Sequence, residues 1–179
     1  MEPSKEKSEK LKIKKLSPDA KIPNFAREGD AGLDLYSMDS IAIPAGSRAG
    51  IQTGIALEIP EGKAGLIWDR AGLSSKQGLK VLGGVIDSGY RGEIIVTLAN
   101  ISREPVELPK GSKIAQIIIQ PFEKPEIEIA DELSESERGE NGFGSSDILE
   151  QEEPIVEDDY DILDEELNEE MGEDGKSRW

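Results

Sequence analysis

The chain has 179 residues, 38 acidic and 21 basic side chains, a net charge of −17, and neither cysteine nor histidine. Those two absences exclude a disulfide scaffold, a cysteine nucleophile, a histidine-based triad and an HExxH zinc site. Acid–base work falls to Asp, Glu, Lys or Tyr, with Asp or Glu the natural base near neutral pH, and any metal is a hard, oxygen-held ion such as Mg²⁺.

The length fits one domain with tails. Residues 123–179 hold 23 acids and 4 bases, whereas residues 1–122 hold 15 and 17, so the globular part is near neutral. The acidity therefore says little about what the core binds. Residues 1–10, MEPSKEKSEK, read as a disordered charged lead-in without the apolar run of a signal peptide. No stretch approaches the roughly 20 apolar residues of a membrane span. A cytoplasmic protein without membrane or nucleic-acid partners is the expectation.

A β domain is expected over 11–122. Leu11, Ile13 and Leu16 suggest a short first strand, and Lys21 to Gly29 is loop. In AGLDLYS, Ala31 to Ser37, Leu33 and Leu35 face one way and Asp34 the other, toward solvent or toward a site. From Ile41 to Pro60 the chain is punctuated by Pro44, Gly46, Gly50, Gly54 and Pro60, with short apolar runs between them. That is the spacing of a β sandwich or barrel. Gly65 to Trp68 is another strand. Asp69 to Gly78, DRAGLSSKQG, reads as a Gly/Ser-rich loop in which backbone N–H groups and Arg70 suit phosphate oxygens. It is not a Walker A loop, and an ordinary surface loop has the same composition.

Gly83 to Asn100, GGVIDSGYRGEIIVTLAN, has the grammar of a β-hairpin. Val85 and Ile86 end one strand, Asp87 to Gly89 turn, and Ile94 to Leu98 form the second. Asp87, Tyr90 and Arg91 sit near its tip, where a carboxylate, a ring and a cation can line a pocket. The alternative is that Asp87 only closes an Asx-type turn. Pro105 to Gly111 is a turn and Lys113 to Gln120 a strong strand. Gln116 interrupts that strand's apolar pattern and must find partners in the protein or in a ligand.

Residues 123–146 form a linker and arm. Within it Arg138 to Ser146, RGENGFGSS, is a Gly-rich stretch with an isolated Phe143, read as a mobile flap or a spacer. Residues 147–179 form an acidic low-complexity tail, expected to be disordered. Leu163, Leu167 and Met171 repeat at helical spacing and would suit an unidentified protein partner.

Taken together, five of these stretches resemble, in order and approximate spacing, the five motifs of the trimeric dUTP diphosphatases (dUTPases). They are AGLDL at Ala31 to Leu35, the arginine loop at Asp69 to Gly72 continuing to Gly78, GVIDSGYRG at Gly84 to Gly92, the G-x-[RK]-IAQ strand at Gly111 to Gln116, and the RGxxGFGS arm at Arg138 to Ser145. The resemblance spans about residues 11–146. It implies an all-β, distorted jelly-roll (β-clip) barrel, assembled as a homotrimer with a flexible C-terminal arm. Each site would draw on three subunits, and the reaction would be Mg²⁺-dependent hydrolysis of dUTP to dUMP and pyrophosphate. By the same resemblance Asp87 would activate the water that attacks the α-phosphorus. Tyr90 would pack under the deoxyribose, and the backbone around Gly84 and Ile86 would read uracil. Arg70, Ala71, Gly72, Gln116, Arg138, Gly144 and Ser145 would hold the phosphates, and Phe143 would stack on the base. Mg²⁺ would be held mainly by phosphate oxygens and water, with Asp34 touching its water shell.

The chain departs from that pattern in three places. Ala71 stands where the second motif usually has serine, Gly89 where an acid is common, and the acidic tail runs beyond the usual end. The dCTP deaminases share the fold and trimer but have Trp where Tyr90 stands and a catalytic Glu at the position of Thr97. A catalytically weak nucleotide-binding regulator is the rival of another class. Ala71 and the tail favour it; Asp87, Tyr90 and the complete arm oppose it.

Overall fold

The structure, a computed structural model, describes residues 10–140. These divide between two units, one reaching Glu126 and one beginning at Ile127.

The first unit is built almost wholly of strands: β1 (Lys12–Lys15), β2 (Leu33–Tyr36), β3 (Ile41–Ile43), β4 (Arg48–Glu58), β5 (Lys63–Trp68), β6 (Leu79–Leu82), β7 (Val85–Ile86), β8 (Glu93–Asn100), β9 (Val106–Leu108) and β10 (Lys113–Pro121), with one helix, α1 (Ala71–Gln77). Two four-stranded antiparallel sheets have the orders β1-β4-β8-β6 and β2-β10-β5-β7, and β3 pairs with β9. The sheets stay open, so the all-β expectation holds but the barrel does not close. The period-two alternation of β8 is the reason for this layering. Ile94, Val96 and Leu98 turn inward and are essentially inaccessible, while Ile95 is 48% exposed. They meet Ile51, Ile55 and Leu57 of β4, Leu35 of β2, Ile114 and Ile117 of β10, and Ile43 and Leu108 of the small ladder in one core. Each such side chain contributes about 1.5–3 kcal/mol when fully buried.

Three local expectations are corrected. Asp69 to Gly78 is not a loop throughout: Ala71–Gln77 is helical. Arg70 stays extended, its carbonyl accepts the N–H groups of Leu73 and Ser74, and Gly78 ends the helix in the left-handed region at φ +65°. Seven residues are too few for helical periodicity to register, and glycine with two serines reads as loop. The hairpin is also differently paired. β8 pairs with β6, Leu79 opposite Asn100 through Leu82 opposite Thr97, whereas β7 leaves to pair with β5, Ile86 opposite Gly65. Finally, Val106–Leu108, expected within a turn, pairs with Ile41–Ile43.

In the second unit, described over 127–140, Ile127, Ile129 and Leu133 are exposed. A turn there is closed by Gly139 N–H donating to Ser136 O at 3.1 Å. Phe143, Gly144, Ser145 and the whole acidic tail lie outside the described residues, as do residues 1–9.

Candidate active site

Sheet order brings three distant stretches together. β10 lies between β2 and β5, and Gln116 is opposite Asp34 on one side and Trp68 on the other. The chain leaving β5 at Trp68 runs directly into Asp69 and Arg70. Asp34 is 3% exposed, which corrects the solvent-facing alternative. Its Oδ1 is ion-paired with Arg70 Nη1, and its Oδ2 lies 2.6 Å from Lys113 Nζ. A buried carboxylate is tolerated at such a position because two cations face it. The main chain of Asp34 is held as well, its N–H donating to Asn24 O at 2.9 Å.

Gln116 finds its partner in the protein. Its Nε2 donates to Asp69 O at 2.8 Å, and its side chain fills the space over Gly32, where a Cβ would come within 2.6 Å of Oε1. Asp69 is anchored in turn: Oδ1 accepts Val81 N–H at 2.6 Å, and Lys80 ion-pairs with Oδ2. The head of α1 is thus tied to β10 and β6 at once. Asp34, Arg70, Ala71, Gly72, Lys113 and Gln116 line one cavity of about 890 Å³. Ala71 presents only a methyl there, and the Ser75 hydroxyl, four residues on, does not replace the missing one but donates to Ala71 O at 2.7 Å.

The tip that carries Asp87 and Tyr90 is not part of that cavity. Its turn is closed by Tyr90 N–H donating to Asp87 O at 3.1 Å. Arg91 Nη1 donates to the carbonyls of Ser88 at 2.6 Å and Tyr90 at 2.9 Å. The turn is held by backbone and arginine, and among the described residues the exposed Asp87 carboxylate has no hydrogen-bond or ion-pair partner. The Asx-turn alternative therefore does not describe it. Tyr90 is 45% exposed, and its hydroxyl donates to Glu93 O at 3.1 Å. Gly84 O accepts Ile67 N–H at 2.7 Å, and Gly84 with Val85 borders an apolar cavity of about 220 Å³ beside Ile67, Trp68 and Val81.

Residues 18–147 match the sequence profile of the dUTPase family. The chain belongs to the dUTPase family. It is 47% identical over 138 residues to the deoxyuridine 5'-triphosphate nucleotidohydrolase of Clostridioides difficile, covering 76% of this chain and 96% of that one. The dUTPase of Staphylococcus bacteriophage 80alpha with dUPNHPP has a TM-score of 0.72 at 33% identity, covering 76% of this chain and 97% of that one. A mutant dUTPase from phage phi11 of S. aureus, described with a structural Mg(II) ion, has a TM-score of 0.65 at 29% identity, covering 69% and 98%. These similarities carry the jelly-roll reading of the fold.

Within this dUTPase fold, two residues join the site that sequence reasoning left out. Lys113 occupies the basic position of the fourth motif, a signal that was present in the motif itself. Asp69 had no local signal, because its partners are on β6 and β10. The donor set does not fit a protein-held Mg²⁺: among the described residues no group of three acidic side chains converges. Asp34 serves as counter-ion to Arg70 and Lys113. Glu58, outside this site, has its carboxyl held below the usual range, first by a hydrogen bond from Lys12 and then by that ammonium's charge.

Proposed function

We propose that this chain is a dUTP diphosphatase that hydrolyses dUTP to dUMP and pyrophosphate in nucleotide metabolism. The reading is carried by Asp87. An exposed carboxylate with no partner among the described residues, on a turn fixed by other groups, is free to accept a proton, and the chain has no histidine to do so. Water attacks the α-phosphorus, its proton passes to Asp87, and the bond from that phosphorus to the bridging oxygen breaks, so that pyrophosphate leaves with the electron pair.

Tyr90 packs under the deoxyribose, and backbone groups of Gly84 and Ile86 that β5 does not use read the uracil edge. Arg70, Gln116 through its second amide hydrogen, and the backbone of Ala71 and Gly72 hold the phosphates and offset charge as the transition state forms. Arg138, Phe143, Gly144 and Ser145 close over the nucleotide as an arm. Mg²⁺ would be held by phosphate oxygens and water and would supply charge neutralisation there; the phage phi11 relative is described with a structural Mg(II) ion.

A homotrimer is supported by the separation of the parts. The cavity that gathers Asp34, Arg70 and Gln116 does not include Asp87 or Tyr90 of the same protomer. A site that uses both sets is completed by a neighbour.

The test is pyrophosphate release with Mg²⁺ from dUTP, dCTP, dTTP and UTP in parallel. Release from dUTP alone is the expected result. Ammonia release from dCTP, or tight dUTP binding without product, would overturn the reading.

A further inference from the structure

Glu93 stands at the start of β8, directly after the turn that carries Tyr90, and nothing in the reaction scheme uses it. Its surroundings are unusual for a strand. The β4–β8 ladder loses register between Gln52 and Ala56, and Gly54 takes φ +70° inside the irregularity. The left-handed backbone and the close packing of Met38 and Ala20, within 2.5 and 2.9 Å of where a Cβ would lie, both demand glycine. A bulge breaks ladder bonds, and Gly54 is buried, so its N–H needs a substitute acceptor. Glu93 supplies it: Oε1 accepts Gly54 N–H at 2.8 Å, and Oε2 accepts Gln52 Nε2 at 3.1 Å.

The same residue meets Tyr90 through its main chain. Glu93 O accepts the Tyr90 hydroxyl at 3.1 Å, and the tyrosine ring lies back over Gly92, where a Cβ would come within 2.3 Å of the hydroxyl oxygen. The ring is therefore placed from below by a glycine and at its tip by a carbonyl whose own residue is bolted to the β4 bulge. We propose that Glu93 is a positioning residue for sugar discrimination: its carboxylate, fixed to Gly54 and Gln52, sets the carbonyl that orients Tyr90 against a 2′-hydroxyl. The inference rests on the deoxyribose role given to Tyr90 above. Bidentate capture of the carboxylate makes the placement rigid, because charge-assisted bonds are roughly twice as strong as neutral ones.

The experiment compares kcat/KM for dUTP and for UTP in the full chain, in Glu93→Ala and in Gln52→Ala, with melting curves to match folded fractions. A purely structural defect lowers both substrates together. The proposal expects the dUTP-over-UTP ratio to fall about tenfold in Glu93→Ala, and by less in Gln52→Ala, which removes one anchor from an exposed position. Should Glu93→Ala not fold, Gln52→Ala and Glu93→Gln decide, with Glu93→Gln retaining the acceptor for Gly54 and most of the ratio. An unchanged ratio in folded Glu93→Ala, or in Gln52→Ala where Glu93→Ala does not fold, overturns the proposal while leaving the Tyr90 reading in place. A parent chain with no preference for dUTP over UTP overturns the Tyr90 reading, and this inference with it.

Discussion

Asp34 and Arg70 form an ion pair in which the acid is buried and the base borders the cavity: the side chains are 4% and 31% exposed. Lys113 faces the other carboxylate oxygen. One acid thus holds two cations beside the space that the nucleotide's phosphates are proposed to enter. Removing one partner of a buried pair costs about 3–5 kcal/mol, and partial exposure of both bases reduces this. Asp34→Asn is expected to destabilise the fold by about 2 kcal/mol in urea-melting experiments. A variant as stable as the parent would show that the cations are indifferent to it.

Asp87→Asn keeps the size and turn propensity of the side chain but cannot accept the water proton. The turn's closing bonds come from Tyr90 and Arg91, so the fold and nucleotide binding are expected to persist. Turnover should fall by ~10²–10⁴, the usual contribution of a general base. Pyrophosphate release and binding of a non-hydrolysable dUTP analogue, measured side by side, check this; undiminished release would remove Asp87 as the base.

Ala71→Ser places a hydroxyl at the head of α1, on the wall of the cavity proposed to take the phosphates. One added hydrogen bond to a charged group is worth about 1.5–3 kcal/mol, so kcat is expected to rise by about tenfold or more. Stopped-flow single turnover separates this from product release. No change would mean that another donor already fills the position.

Gly84→Ala introduces a Cβ within 2.4 Å of Ile67 O, while Gly84 O must still accept Ile67 N–H. Neither backbone can withdraw without losing that bond. The variant is expected to lose about 1–3 kcal/mol of stability, the range for a strained backbone position, together with affinity for dUTP. Thermal melting and isothermal titration with a dUTP analogue measure the two effects.

The lowered pKa of Glu58 has a defined pH signature. A carboxyl depressed in the folded state contributes stability above its unfolded pKa and loses it as pH falls through the lower folded value. Lys12 and Glu58 are both solvent-exposed, 70% and 45%, so the contribution is small. Melting temperatures of Glu58→Gln and the parent should coincide below the folded pKa and separate slightly above the ordinary carboxylate range. Separation in the opposite sense would contradict the assigned cause.

The five motifs, the period-two apolar runs and the exclusion of histidine and cysteine chemistry are properties of the residues in order; they determined the family and the all-β class, and they lead to Asp87 as the proposed base. Local composition carries them because alternation and turn residues act over a few positions. Three things needed the tertiary structure. Asp34 is a buried counter-ion because β10 inserts between β2 and β5, a pairing of strands far apart in the chain. The turn holding Asp87 sits between the sheets because β7 joins β5 while β8 joins β6, although the apolar pattern fits a simple hairpin equally well. And the Glu93 carboxylate is tied to Gly54 because a bulge in β4 leaves a buried N–H without its ladder partner. Strand partners and bulge positions are set by packing across the whole core, where many alternative pairings satisfy the same alternation.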